Sequence, residues 1–205
     1  MILDTLEAIE TRRAIRAYDP DHTISPADLH TLLAAARRAP SAFNIQHCRF
    51  VVVRDPALRR ALRKVAWDQP DVTDASALVV ICADRDAWKK DPARYFDGAP
   101  DDVKQRMAEM IRGYYEGREW VQQDETMRSA GLAAQTLMLA ATAMGYQSCP
   151  MDGFDYDAVG RLINLPADHV VAMFVVIGKG VEQAAPRVGK LPDGEVILTD
   201  RFPAA

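Results

Sequence analysis

Residues 127–144, MRSAGLAAQTLMLAATAM, limit most strongly how this chain can fold. The stretch is rich in alanine, nearly apolar all round, and stopped by Gly145, so it reads as one long helix. Such a helix must be covered on most sides, by its own core or by a second subunit. Leu132, Leu137, Met138 and Leu139 point in several directions, so a single core face cannot bury them all.

Three other runs, 49–53, 77–83 and 170–177, are apolar, short and bounded by turn residues, which is the pattern of fully buried strands. A last short strand is expected at 195–199. Around them lie helices. Ile2, Leu6 and Ile9 have amphipathic spacing and carry the chain to Arg12 and Arg13. Ser25-Pro26-Ala27-Asp28 is a helix start, followed by the apolar face Leu29, Leu32, Leu33 and Ala36. A basic helix is expected from Pro56 to about Lys64, and Asp155 or Asp157 caps a short helix ending near Asn164. Buried strands alternating with helices predict a mixed or parallel sheet covered on both faces. The helices are unevenly spaced, and a charged, aromatic excursion at about 88–117 interrupts them, so the expected class is α+β. That excursion is either a helical insertion at the surface or a lid. The 205 residues contain no repeat or low-complexity linker and suffice for one domain with a substantial core or two small ones.

Net charge of −4 and a pI near 5.6 exclude a general attraction to nucleic acid, so any anion site must be local. Cys48, Cys82 and Cys149 are too scattered for a disulfide framework or a zinc site, in keeping with a reducing cytoplasm. The N-terminus lacks the pattern of an export signal, and no apolar run approaches the ~20 residues of a membrane span.

The common phosphate-binding glycine motifs are missing, as is the Gly-x-Ser-x-Gly elbow. His22, His30, His47 and His169 show no metal-ligand spacing, and Cys48 has no evident base. The basic residues say more. Arg12 and Arg16 lie four apart and share a face if that turn is helical; Arg187 and Lys190 form a second basic site in a proline-bounded loop. Converging on one phosphate, each charge pair at ~4 Å would have roughly 4 kcal/mol of Coulomb attraction before desolvation is subtracted. The alternative is a solvated charged face. A third signal is APSAFNIQHCRFVVV, residues 39–53. Pro40 ends a helix, and a polar loop delivers Ser41, Asn44 and Gln46 to the start of a strand. Their donors and acceptors suit the edge of a heterocycle, although the same residues are ordinary in turns.

Taken in order, these motifs resemble the FMN-dependent nitroreductase family. TRRAIRAY is similar to the family's N-terminal phosphate segment, and APSAFNIQHCRFVVV to its Pro-Ser-Ser-x-Asn-x-Gln-Pro-Trp-x-Phe loop and strand. DASALVVICA resembles the next strand. GLAAQTLMLAATAMGYQSCPMDGFD resembles the dimer-core helix and flavin-side loop, and APRVGKLPDGEVILTD the C-terminal phosphate loop and tail. The resemblance implies a single FMN-binding domain, 1–205, with a central mixed sheet flanked by helices, and a homodimer with FMN sites at the subunit interface and an exchanged C-terminal strand, the tail spanning about 191–205. It implies that Arg12, Arg13, Arg16, Arg187 and Lys190 hold the FMN phosphate and neighbouring groups. Ser41, Asn44 and Gln46 would reach the flavin from the other subunit, and Asp68 or Gln69 would contact its pyrimidine edge. The loop formed by Pro150, Met151, Asp152 and Gly153 would present its available backbone N–H groups towards the flavin N5 and O4 region. Ala14 stands where the family usually has Ser, His47-Cys48 replaces Pro-Trp, Asp68 replaces a common Asn, and one extra residue separates Arg187 from Lys190 relative to some relatives. The implied activity is ping-pong electron transfer from NADH or NADPH to flat, electron-poor acceptors such as nitroaromatics and quinones, with the flavin carrying the hydride and no catalytic side chain. The alternatives are the same fold with reductive dehalogenase-like or flavin-destructase-like chemistry, and a flavin-binding protein without turnover.

Overall fold

The computed structural model describes residues 3–203. The chain runs α1 (Thr5–Thr11), α2 (Pro26–Ala36), β1 (Cys48–Val53), α3 (Pro56–Val65), α4 (Asp71–Asp74) and β2 (Ala77–Asp84). It continues through α5 (Ala87–Lys90), α6 (Asp101–Tyr115), α7 (Glu119–Ala143), β3 (Gln147–Met151), α8 (Tyr156–Leu162), β4 (His169–Gly178) and α9 (Asp193–Val196). None of the described helices is long and apolar enough to cross a membrane.

The four strands form one sheet in the order β1-β2-β4-β3. The α+β class holds, but the expected mixed sheet is antiparallel in all three of its ladders. β2 is buried at every position, and its side chains alternate between two cores. Leu78, Val80 and Cys82 face Leu62 of α3 and Val159 of α8, whereas Val79 and Ile81 face Leu32 of α2 and Leu137 of α7. Both sheet faces are therefore covered. β1, expected to be fully buried, is an edge strand and only Val53 is buried. β3 is the other edge and occupies much of what reads as a loop at 149–153. Pro150 cannot donate to a ladder, and an edge strand tolerates that; Cys149 and Met151 still fill the core.

Local signals explain the helix starts. Ser25 Oγ accepts the Asp28 N–H at 3.0 Å, and Asp155 Oδ1, not Asp157, accepts the Ala158 N–H at 2.9 Å. α7 begins at Glu119 rather than at 127, and Gly145 ends it at φ 84°. One chain buries Leu137 and Met138 but leaves Leu132 47% exposed, so the many-sided apolar surface of α7 is only partly covered. On α1, Leu6 and Ile9 are also exposed; Ile2 lies outside the described residues. The strand expected at 195–199 is instead the helical turn α9 followed by bends, because no sheet edge within the described chain pairs with it.

The 88–117 excursion is a packed unit with its own core. Trp88 stacks on Tyr115 with centroids 5.9 Å apart, and Ile45 joins them from the 41–46 loop. Asp84, Asp168 and His169 approach metal-ligand spacing at its foot. The Lys90 ammonium already lies 2.6 Å from Asp84 and 2.7 Å from Asp168, so the cluster reads as an ion-pair network tying α5 to the sheet.

Candidate functional site

The basic segment 12–16 is extended, because α1 ends at Thr11 and Arg12 leaves helical geometry at ψ 127°. Arg12 and Arg16 thus share no helical face, but period-two alternation returns 12, 14 and 16 to one side while Ile15 is buried on the other. The Ile15 N–H donates to the Ser148 carbonyl at 3.2 Å, and an Ala14–Ser148 bridge lays the segment along β3. The tail then folds back. An Arg13 guanidinium N–H donates to the Ala185 carbonyl, and one from Arg187 donates to the Glu10 carbonyl. The two basic segments do meet, although much of the Arg187 fork is spent on main chain. Lys190 is exposed and makes no hydrogen bond or ion pair among the described residues.

Two further loops close this side. Trp67 and Asp68 adopt left-handed backbone conformations, at φ 51° and 52°. Gln69 Nε2 donates to the Asp152 carbonyl at 3.1 Å, and the Trp67 ring lies over Gly153, where a Cβ would come within 2.7 Å of it. The Gly153 N–H is taken by the Asp152 carboxylate at 2.8 Å, so a ligand would have to compete for it. Asp68 is turned to Arg63, its Oδ1 2.7 Å from Nε, whereas Gln69 faces the 150–153 loop. Pro150 and Asp152 are exposed and Met151 is buried.

Between these pieces lies a polar neighbourhood that sequence reasoning missed. Asp71 is only 3% exposed and its Oδ1 has no partner; Tyr18 OH and Ser148 Oγ are likewise buried and unpartnered. Burial pushes the Asp71 carboxyl above its ordinary 3.8, against the pull of Arg16. Burial also raises the Cys149 thiol, with Asp71 adding to it and Arg16 and Arg12 opposing. Within DQPDVTD, Asp71 looks like one more surface acid; only Val72 inside the run and Ala75 just after it hint that the segment dips inward. Guanidiniums beside unsatisfied acceptors and hydroxyls suit a ligand with a phosphate and polyol or N–H groups, so the residues present fit FMN.

Asp71 sets a pH dependence. Its folded pKa is raised, so the native state binds more protons than the unfolded chain, and stability falls as pH climbs from about 3.8 through the folded value. In flavin-free protein, Asp71→Asn should raise Tm near neutral pH, with the gain fading towards pH 3.8. Calorimetry across pH checks this; a gain independent of pH would contradict it.

Ser41, Asn44 and Gln46 lie elsewhere. Phe43, Asn44 and Gln46 all have left-handed φ, held by the Gln46 N–H to Ser41 Oγ at 2.9 Å and by Asn44 Nδ2 to the Tyr95 carbonyl at 3.0 Å. Ser41 and Gln46 line a cavity of about 510 Å³ with His30, Arg37, Phe50 and Ala133, apart from the 12–16 segment. His47 is buried, its Nδ1 3.0 Å from the Asp84 carbonyl, and burial lowers its pKa, so it is neutral near pH 7. Burial pushes the Cys48 thiol up to about 11, which leaves it protonated and unfit as a nucleophile.

A sequence model of the nitroreductase family matches residues 9–179. Protein DrgA of Synechocystis is 44% identical over 200 residues, 95% of each chain. YodC of Bacillus subtilis, which carries the name of an inferred NAD(P)H nitroreductase, is 32% identical over 186 residues, 88% of this chain and 92% of the relative. A nitroreductase-type protein from Exiguobacterium sibiricum, solved in complex with FMN, superposes with a TM-score of 0.85 at 30% identity, covering 95% of this chain and 96% of the other.

Proposed function

From the premise that the chain belongs to the nitroreductase family, we propose that it binds FMN and moves electrons from NAD(P)H to flat, electron-poor acceptors such as nitroaromatics or quinones. The observation that carries this reading is the meeting of three separated pieces on one side of the sheet. These are the 12–16 segment along β3, the tail at 185–187, and the 67–69 loop against 152–153. Arg12 and Arg16 bind the phosphate, with Arg13 and Arg187 fastening the tail over them and Lys190 lending charge nearby. Gln69 orients the pyrimidine edge, Asp68 being held by Arg63, and the 150–153 backbone lines the ring. FMN, when bound, supplies the hydride-accepting and electron-donating chemistry. The side chains named here bind and orient, and positive charge beside the ring would favour its reduced anion.

The same reading includes a homodimer. Ser41 and Gln46 line a cavity apart from the 12–16 segment of their own chain, as residues serving a partner's flavin would. The apolar tail residues Val196, Ile197 and Phe202 are exposed in the single chain and have a partner surface to cover.

Because donor and acceptor would use one ring face in turn, double-reciprocal plots at several donor concentrations should be parallel. Intersecting lines would count against the shared-face scheme.

A further inference from the structure

A cavity of about 520 Å³ opens beside α3, lined by Arg54, Arg59, Arg60, Arg63 and Lys64, with Asp68 as the single carboxylate among its lining residues. In a chain of net charge −4 this is a local reversal of sign. It also works against the helix: Arg59/Arg63 and Arg60/Lys64 are like-charge pairs four apart, an arrangement that destabilises α3. Asp68 neutralises Arg63 alone, and Arg54, Arg60 and Lys64 have no carboxylate in ion-pair contact among the described residues. A surface needing only solubility would intersperse the signs.

Two of the guanidiniums are fixed in place. Arg59 donates Nε to the Val72 carbonyl at 2.9 Å and Nη2 to the Ala75 carbonyl at 2.6 Å. Arg63 donates Nη1 to Thr73 Oγ1 at 3.0 Å. Anchored forks joined by unpaired cations are what a phosphate monoester needs, since it presents three acceptor oxygens and about −1.5 to −2 charges near pH 7. The position fits as well. The cavity includes Asp68, and the next residue, Gln69, touches the 150–153 loop; the preceding residue, Trp67, is 81% exposed and lies over Gly153. A dinucleotide whose nicotinamide reaches the flavin has its phosphate-bearing adenosine half to place nearby.

We propose that this cavity receives the adenosine 2′-phosphate of the electron donor, and that NADPH is therefore preferred over NADH. The inference rests on the reductase reading above; arginines accommodate the same phosphate in other nucleotide-binding sites.

The test uses flavin-loaded protein in two arms. By calorimetry, adenosine 2′,5′-bisphosphate should bind saturably, at least about ten-fold tighter than 5′-AMP, and Arg60→Ala/Lys64→Ala should remove most of that difference. In steady state the same variant should raise KM for NADPH about ten-fold while leaving KM for NADH within about two-fold. The variant removes a like-charge pair, so α3 should fold at least as well, which circular dichroism checks. Equal binding of the two adenosine nucleotides, or equal effects on both donors, would overturn the proposal. If neither donor reduces the flavin, the reductase reading and the donor role both fall, while calorimetry still decides whether the cavity recognises the phosphate.

Discussion

Arg12→Ala/Arg16→Ala should purify as a folded but colourless protein. Hydrogen bonds from charged donors contribute about 1.5–3 kcal/mol each, so losing two should weaken FMN binding by roughly 10²–10⁴-fold. The frame should survive, because what holds this segment is the main-chain bridge from Ala14 to Ser148, the Ile15 N–H to the Ser148 carbonyl, and the buried Ile15 side chain. The segment also runs beside Ser148, whose buried Oγ has no partner among the described residues. Arg187→Ala is a poorer test, because it also removes the clasp onto the Glu10 carbonyl. Flavin content after purification and a fluorescence titration give the answer. A variant that stays yellow with unchanged affinity would remove the phosphate assignment.

If the proposed homodimer packs α7 against its own copy, Leu132→Arg should leave a monomer that has lost its flavin. Leu132 remains 47% exposed on the helix that forms much of one core, and Met127 on the same helix and Leu6 and Ile9 on α1 are exposed too. Burying a leucine contributes about 1.5–3 kcal/mol, and two-fold symmetry counts it twice; a charge in its place adds a desolvation cost. A dissociation constant raised about 10²–10⁴-fold is expected. Flavin should go with the dimer, because Ser41, Asn44 and Gln46 would no longer reach the partner's site. Sedimentation alongside flavin absorbance tests both parts. A variant that is still dimeric, or a monomer retaining full flavin, would contradict the shared-site account.

Elements governed by local chemistry were readable in the sequence. The α2 cap, the wholly buried β2, the largely buried β4 and the Gly145 stop follow from a few neighbouring residues. What depended on neighbours distant in sequence was not readable. β1 has apolar character but lies at an edge, so it is half-exposed. β3 carries Pro150 and reads as a loop until its edge position is known. The tail at 195–199 has strand composition but no strand to pair with in its own chain. Among candidate site residues, Arg12 and Arg16 stood out by their spacing and Arg187 and Lys190 by their proline-bounded loop, whereas Arg13 was pointed to only by the family resemblance. Asp71 did not stand out, since its burial arises from the packing of Val72 and Ala75 against the sheet.

The central claim is that one flavin serves donor and acceptor in separate steps, and the half-reactions tested apart are its most direct measurement. Under anaerobic conditions the yellow protein is mixed with NADPH, freed of nucleotide by rapid gel filtration, and then mixed with a quinone while the oxidised-flavin absorbance is followed. The account predicts bleaching in the first step and full recovery in the second with no donor present. A flavin that neither NADPH nor NADH bleaches, or a reduced flavin that the quinone cannot reoxidise unless donor remains, would contradict it.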